Sequence, residues 1–341
     1  MQMLPGRSTK VVVVTGASAG VGRAAAREFA RKGANVALLA RNGDALDNAR
    51  AEVERYGGRA LPIPLDVSDA DAVERAALAI ESELGPIDVW VNNAMVTVFS
   101  PVALLQADEV RRVTEVTYLG TVNGTLSALR RMLPRNRGAI VQVGSALAYR
   151  SIPLQAPYCG AKSAIRGFTD SLRTELLHSG SRVRITMVQM PALNTPQFDW
   201  CRTRLPRRPQ PVPPIFEPEV AARAIVWASR HRRREVFVGA STVAAIWGNR
   251  LLAPLLDRYL ARTAYDSQLA EEPVEPGRPD NLWQTVPGDH GAHGRFQDRA
   301  SKTSRELWLT THSRLLLSAC AVGAGLAWLA ASRIGAGSRH P

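Results

Sequence analysis

Tyr158 and Lys162 stand four residues apart where apolar spacing predicts a helix over Pro157–His178, so the two side chains share one face. Six tyrosines and four lysines in a chain this long would produce about 0.07 accidental pairs at that spacing. A free phenol with a pKa near 10 is ionised about one part in a thousand at neutral pH, and an adjacent ammonium favours the phenolate. Such a pair suits the gain or loss of a proton at a hydroxyl or carbonyl oxygen. Ser145 follows the apolar run Ala139–Val143, which reads as a strand, so its hydroxyl stands at that strand's carboxyl end. The plain alternative is a capping serine beside an unrelated tyrosine and lysine.

A second constellation is Thr15-Gly16-Ala17-Ser18-Ala19-Gly20-Val21-Gly22, between the first apolar run and the first helical pattern. In that setting Gly16 permits a tight turn and Gly20 lets backbone approach a pyrophosphate at a helix N-terminus. Gly22 allows close packing of helix on sheet. Roughly 20 residues further on, an acid would bond a ribose 2′-hydroxyl, whereas arginine accommodates a 2′-phosphate. Here the second strand runs into Arg41 and Asn42 with no acid. A planar guanidinium opposite a phosphate favours NADP(H) over NAD(H). The bland alternative is one more solvated arginine.

These residues need a scaffold that brings strand ends together. Strands are expected at Val11–Thr15, Asn35–Ala40, Ala60–Leu65, Ile87–Val91, Ala139–Val143, Val183–Gln189 and Glu235–Val238. Helical patterns separate them at Gly20–Lys32, Asp44–Tyr56, Asp71–Leu84, Glu109–Met132, Pro157–His178 and Pro218–Arg230. Continuous Val/Ile/Leu strands alternating with helices indicate an α/β fold with a Rossmann-like, doubly wound parallel sheet of about seven strands. The rhythm breaks between Pro191 and Glu217, where six prolines from Pro206 to Pro218 forbid a regular helix. The expected organisation is a catalytic domain over 1–240, an amphipathic extension over 241–263 and a polar, flexible linker over 264–313. A candidate transmembrane anchor over 314–333 follows, built on the 18 uncharged residues Leu315–Ser332.

Together these motifs resemble the short-chain dehydrogenase/reductase family across about residues 8–240. The resemblance rests on Thr15-Gly16-x-x-x-Gly20-x-Gly22, Asp66-Val67 after the third strand and Asn92-Asn93-Ala94 after the fourth. Ser145, Tyr158-x-x-x-Lys162 and the stretch Pro191 to Thr195 complete it. It implies a dinucleotide held by Gly16, Ser18, Gly20, Val21, Gly22, Asp66, Val67, Asn93, Pro191 and Thr195, with Asp66 against the adenine and Thr195 at the carboxamide. It further implies that Ser145 binds the substrate oxygen and Tyr158 gives or takes the proton. Lys162 would hold the nicotinamide ribose and lower the tyrosine pKa. Three positions depart from the pattern: Met95 replaces a usual glycine, Ala192 another, and Thr117 stands where the family places a catalytic asparagine. The family's residue there uses its main-chain carbonyl to hold a water, which survives substitution, so a retuned proton relay is expected.

The chain of 341 residues carries 43 basic and 30 acidic groups, a net charge of +13. Only Lys10, Lys32, Lys162 and Lys302 are lysines, and the arginines are dispersed, so nucleic-acid binding is not expected. The local excess is Arg202–Arg234, nine arginines against two glutamates, read as a solvated loop or as a contact for anionic lipid. Cys159, Cys201 and Cys320 are too few and too scattered for a disulfide framework or a metal site. The stripe Leu251, Leu252, Leu255, Leu256, Tyr259 and Leu260 is expected in a core, a dimer contact or a pocket roof, and less readily on a membrane surface. The resulting expectation is a cytoplasmic NADP(H) oxidoreductase of lipophilic secondary alcohols or ketones, membrane-associated through its C-terminal segment. A homodimer or homotetramer is the family's habit; the alternative function is a non-catalytic membrane-tethered dinucleotide-binding scaffold or redox sensor.

Overall fold

The structure is a computed structural model and describes residues 9–313. Strands β1 (Val11–Thr15), β2 (Asn35–Ala40), β3 (Ala60–Pro64), β4 (Ile87–Asn92), β5 (Ala139–Val143), β6 (Arg184–Gln189) and β7 (Glu235–Phe237) form one sheet. Their order is β7-β6-β5-β4-β1-β2-β3, and neighbouring strands run parallel. Side chains alternate across a strand, so a sheet covered on both faces needs apolar residues at every position. Val12 and Val14 pack in one core with α1 (Gly20–Arg31), α2 (Gly43–Glu54) and α8 (Pro218–Ala228). Val11 and Val13 pack in the other with α3 (Ala70–Leu84), α5 (Gly120–Met132) and α6 (Ala156–His178). Each buried valine contributes about 1.5–3 kcal/mol relative to exposure. Strand order reverses around β1, which lies between β2 and β4, and such a switch point opens a crevice at the carboxyl ends of the strands.

The long helix expected over Glu109–Met132 is present and carries a π-helical turn. Helix α4 (Ala107–Val113) passes into a π-helical turn, Thr114–Leu119, before α5 begins. Thr117 sits inside this turn. Its hydroxyl donates to Val96 O (3.1 Å) and accepts from Val96 N (3.2 Å), while its carbonyl accepts from Thr121 Oγ1 (2.9 Å). Side-chain bonds of this kind offer the backbone partners that a regular helix would otherwise supply.

Beyond β7 the architecture departs from expectation. Helix α9 (Ala240–Ser267) is kinked, with non-helical backbone at Leu252 and Pro254 inside it, as a proline that lacks N–H and crowds the preceding turn requires. Much of its apolar stripe is not core: Trp247, Leu251, Leu252, Leu255 and Tyr259 are each more than half exposed. The segment read as a flexible linker is ordered onto the domain. Leu269–Pro273 pairs antiparallel with Arg207–Pro209, Ala300–Ser301 pairs parallel with Ile215–Phe216, and α10 (Arg305–Thr311) follows. Leu282, Ala292, Phe296 and Leu307 anchor it as buried side chains. These anchors lack helix or strand periodicity, so apolar patterning carries no sign of them. Among the described residues no helix is long and apolar enough to cross a membrane. The candidate anchor over 314–333 lies outside the described residues.

Candidate active site

The glycine loop joins β1 to α1 at the switch point. Gly16 has a left-handed φ of 66°, and a side chain there would approach Ala94 Cα to 2.9 Å. At Gly22 a Cβ would lie 2.2 Å from Gly16 O, so only glycine lets the helix sit this close to the loop. The ends of β1 and β4 are tied by Thr15 and Asn93. Thr15 Oγ1 accepts from Asn93 N (2.9 Å) and Ala94 N (3.0 Å), and Asn93 Nδ2 donates to Thr15 O (2.9 Å). Helix α1 begins with no acidic residue in its first turn and no side-chain cap, leaving a positive dipole end facing the crevice.

Around this loop is an open cleft of about 200 Å³. It is lined by Gly16, Ser18, Gly20 and Val21 from the loop, and by Arg41, Asp66, Val67 and Asn93 from the ends of β2, β3 and β4. Thr195 closes one side, together with Trp200 in the short helix α7 (Gln197–Trp200). Gly22 stands behind the loop, and Ser145, Tyr158, Lys162, Thr117 and Pro191 lie outside this lining. Glycines that cannot bear a Cβ, a helix N-terminus without a side-chain cap and a guanidinium on one wall make a donor set that fits a dinucleotide pyrophosphate.

Ser145 caps the single turn Ala146–Ala148 after β5, its Oγ accepting from Leu147 N at 3.1 Å. Its hydroxyl lies against that of Tyr158, at the start of α6. Lys162 is buried one turn further on; its Nζ donates to Val143 O (2.7 Å) and stands 5.5 Å from the centroid of the Tyr158 ring. Burial pushes the ammonium down to about 8. The phenol is raised by burial, against a downward pull from Ser145. In this state the lysine is a desolvated cation turned to a strand carbonyl, and the lowered phenol expected of it is not present. Ser145, Tyr158 and Lys162 are nonetheless gathered at the carboxyl end of β5, next to β4, and α6 packs on the π turn that holds Thr117.

Arg41 is neither solvated nor free. Its guanidinium donates to the carbonyls of Asn281 (2.5 Å), Leu282 (3.4 Å) and Trp283 (3.0 Å), and burial lowers its pKa. Asp66 is held by Arg112 and by Ser68, whose N and Oγ donate to Oδ1 at 3.0 and 2.8 Å. Burial alone would raise this carboxyl, but those bonds keep it below the ordinary range. Arg112 also donates to Leu282 O (3.0 Å) and stacks on Trp283. Arg112 and the 281–291 segment are parts of the site that sequence reasoning missed. The segment has no family motif, and its ties are to backbone carbonyls, which leave no mark in side-chain pattern. The basic stretch is also partly internal. Arg202 and Arg204 pair with buried Glu109, Arg202 also with Asp280, and Arg208 with Asp199, rather than standing as a free cationic loop.

Comparison with known proteins agrees with this geometry. The description of short chain dehydrogenases matches residues 10–203. An uncharacterized oxidoreductase of Bacillus subtilis, YxnA, is 32% identical over 326 residues, covering 95% of this chain and 91% of its own. The human dehydrogenase/reductase SDR family member 7 is 38% identical over 170 residues, 49% of this chain and 50% of its own. Among solved structures, an alcohol dehydrogenase from the archaeon Thermococcus sibiricus, complexed with 5-hydroxy-NADP, superposes with a TM-score of 0.58 at 27% identity. It covers 67% of this chain and 96% of its own. With a parallel seven-stranded sheet, a glycine loop at its switch point and these relatives, the chain belongs to the short-chain dehydrogenase family of NAD(P)-dependent oxidoreductases.

Proposed function

We propose that the protein interconverts a lipophilic secondary alcohol and its ketone using NADP(H), with Tyr158 as general acid or base. The observation that carries this reading is the convergence of the Tyr158 and Ser145 hydroxyls with the buried Lys162 ammonium at one strand end. When bound, the dinucleotide supplies the hydride-accepting or hydride-donating nicotinamide. Gly16, Ser18, Gly20, Val21, Asp66, Val67, Asn93 and Thr195 are assigned to hold it along the cleft, with Gly22 supporting the loop and Pro191 preceding Thr195. Ser145 and Tyr158 bond the substrate oxygen, and the Tyr158 hydroxyl holds the proton that is exchanged with it. Lys162, whose ammonium burial pushes down to about 8, can pass a proton onward. Thr117 anchors the adjoining π turn to Val96, and its carbonyl keeps a second lone pair for a water.

The preference for NADP(H) is supported by charge. Among the described residues, Arg41 and Arg112 both act on the carboxylate of Asp66, so this end of the cleft has cation in excess. A 2′-phosphate would neutralise that excess, and a ribose hydroxyl would not. Arg41→Ala is expected to weaken NADPH binding about 10- to 100-fold and NADH binding only slightly. Titration of both nucleotides into both proteins checks this, and equal losses would overturn the cofactor choice.

The lipophilic substrate is supported by α9, which packs on the turn after Ser145 while exposing Trp247, Leu251 and Leu255. In a homologous series of methyl ketones, kcat/KM is expected to rise about fourfold per added methylene over the first few, following about 0.8 kcal/mol of buried apolar surface each. A profile that stays flat or falls would refute an apolar binding surface. The tether expected over 314–333 is not needed for this reading.

A further inference from the structure

We propose that residues 283–291 are a gate on the dinucleotide cleft, through which nucleotide enters and leaves only when their bonds to the glycine loop and to the end of β2 are released. The inference rests on reading the cleft as the nucleotide site. Thr285, Val286 and His290 line the cleft opposite Ser18 and Arg41, and His290 meets Trp200 edge-on at 4.6 Å, bridging the opening. The gate is fastened through donors that a phosphate would use. The Gly20 N–H at the start of α1 donates to Gly291 O (3.1 Å), and the Arg41 guanidinium donates to Trp283 O (3.0 Å). Asn42 Nδ2 adds bonds to Val286 O (3.3 Å) and Gly288 O (3.4 Å). A charged latch completes it, since Asp289 pairs with Arg23, which Glu52 also holds.

The segment is built to open. Its flanks are fixed by Leu282 and Ala292, both buried, whereas the residues between them contribute no buried side chain. Gly288 and Gly291 hold left-handed backbone at the far end, where a loop can pivot. A stretch closed by hydrogen bonds and one ion pair, without apolar burial, opens at a small fraction of the cost of global unfolding. Backbone carbonyls are neutral acceptors. A phosphate makes roughly twice as strong a bond to the same donors, so it can displace them as it arrives.

The test uses the full chain, with tryptophan-to-NADPH energy transfer followed by stopped flow and dissociation started by excess NADP⁺. In Asp289→Asn, which leaves Arg23 paired with Glu52, association and dissociation rate constants are both expected to rise about fivefold. Asn42→Ser, which can still cap α2 but loses its donor to the gate, should shift both in the same direction. Hydrogen exchange over 283–291 should quicken in each variant. Rate constants equal to those of the unaltered protein in both variants would overturn the gate, whatever the exchange shows. Absence of an NADPH signal in the unaltered protein would instead overturn the nucleotide reading, and the gate with it.

Discussion

Tyr158→Phe is expected to lower kcat for ketone reduction by about 10³-fold while NADPH affinity changes less than about twofold. Phenylalanine keeps the ring and the packing at the start of α6 and removes one oxygen. That oxygen lies against Ser145 and is the hydroxyl here assigned to exchange a proton with the substrate. Because Tyr158 lies outside the lining of the dinucleotide cleft, its loss should spare the nucleotide. Stability should move by no more than about 1 kcal/mol, the value of one hydrogen bond. Steady-state kinetics with the best ketone, alongside nucleotide titration, checks all three. An unchanged kcat would overturn the assigned proton donor; a parallel collapse of NADPH binding would show that Tyr158 acts by shaping the nucleotide site.

Lys162→Met should abolish most turnover and yet stabilise the fold at neutral pH. The ammonium is buried at 3% exposure, and that burial lowers its pKa from 10.5 to about 8. Between those values the unfolded chain binds a proton that the folded protein does not. The stability of the unaltered protein therefore rises with pH from about 8 to about 10.5, by about 1.4 kcal/mol per unit, and below pH 8 the charged lysine is held at full cost. Methionine fills similar space without charge, at the expense of the bond to Val143 O. The variant should be more stable by about 2 kcal/mol at pH 7, and the difference should shrink towards pH 10.5. Urea midpoints of both proteins at pH 7 and pH 10 measure it. A variant less stable at pH 7, or a difference independent of pH, would show that no cation is kept here against its solvation. A residue that destabilises the fold it sits in is a mark of function, since packing alone would not retain it.

The order of strands and helices was legible because local patterning dominates it. Valine runs in β1 and alternating apolar and helical segments leave few chain paths through a covered parallel sheet. The glycine loop and the Ser145, Tyr158 and Lys162 set were legible for a related reason. Each depends on short-range spacing, at a turn or along one helix face, that survives as a pattern in one dimension. Where long-range contacts compete with local propensity, the reading failed. The π turn around Thr117 is accompanied by hydroxyl bonds to Val96, across a loop, that a helical pattern cannot announce. The stripe on α9 was rightly helical, and Leu251, Leu252, Leu255 and Tyr259 stand in the open rather than in this chain's core, which leaves the dimer contact and the pocket roof as its remaining readings.

The polar tail is the plainest contrast. Composition alone described residues 264–313 as a linker, since they have neither periodicity nor a dense apolar run. Their order comes from a few buried anchors and from arginines far away in the chain. Arg23, Arg41 and Arg112 reach across more than 150 residues to grip carbonyls or Asp289. The amino-acid sequence by itself determined the doubly wound sheet and the family, because periodicity, glycine conformation and helical spacing are local physical constraints. Only the tertiary structure decided the burial of Lys162, the partners of Arg41 and the ordering of residues 264–313 onto the domain. Those depend on solvent exclusion and on backbone acceptors brought together in three dimensions, which no side-chain pattern encodes.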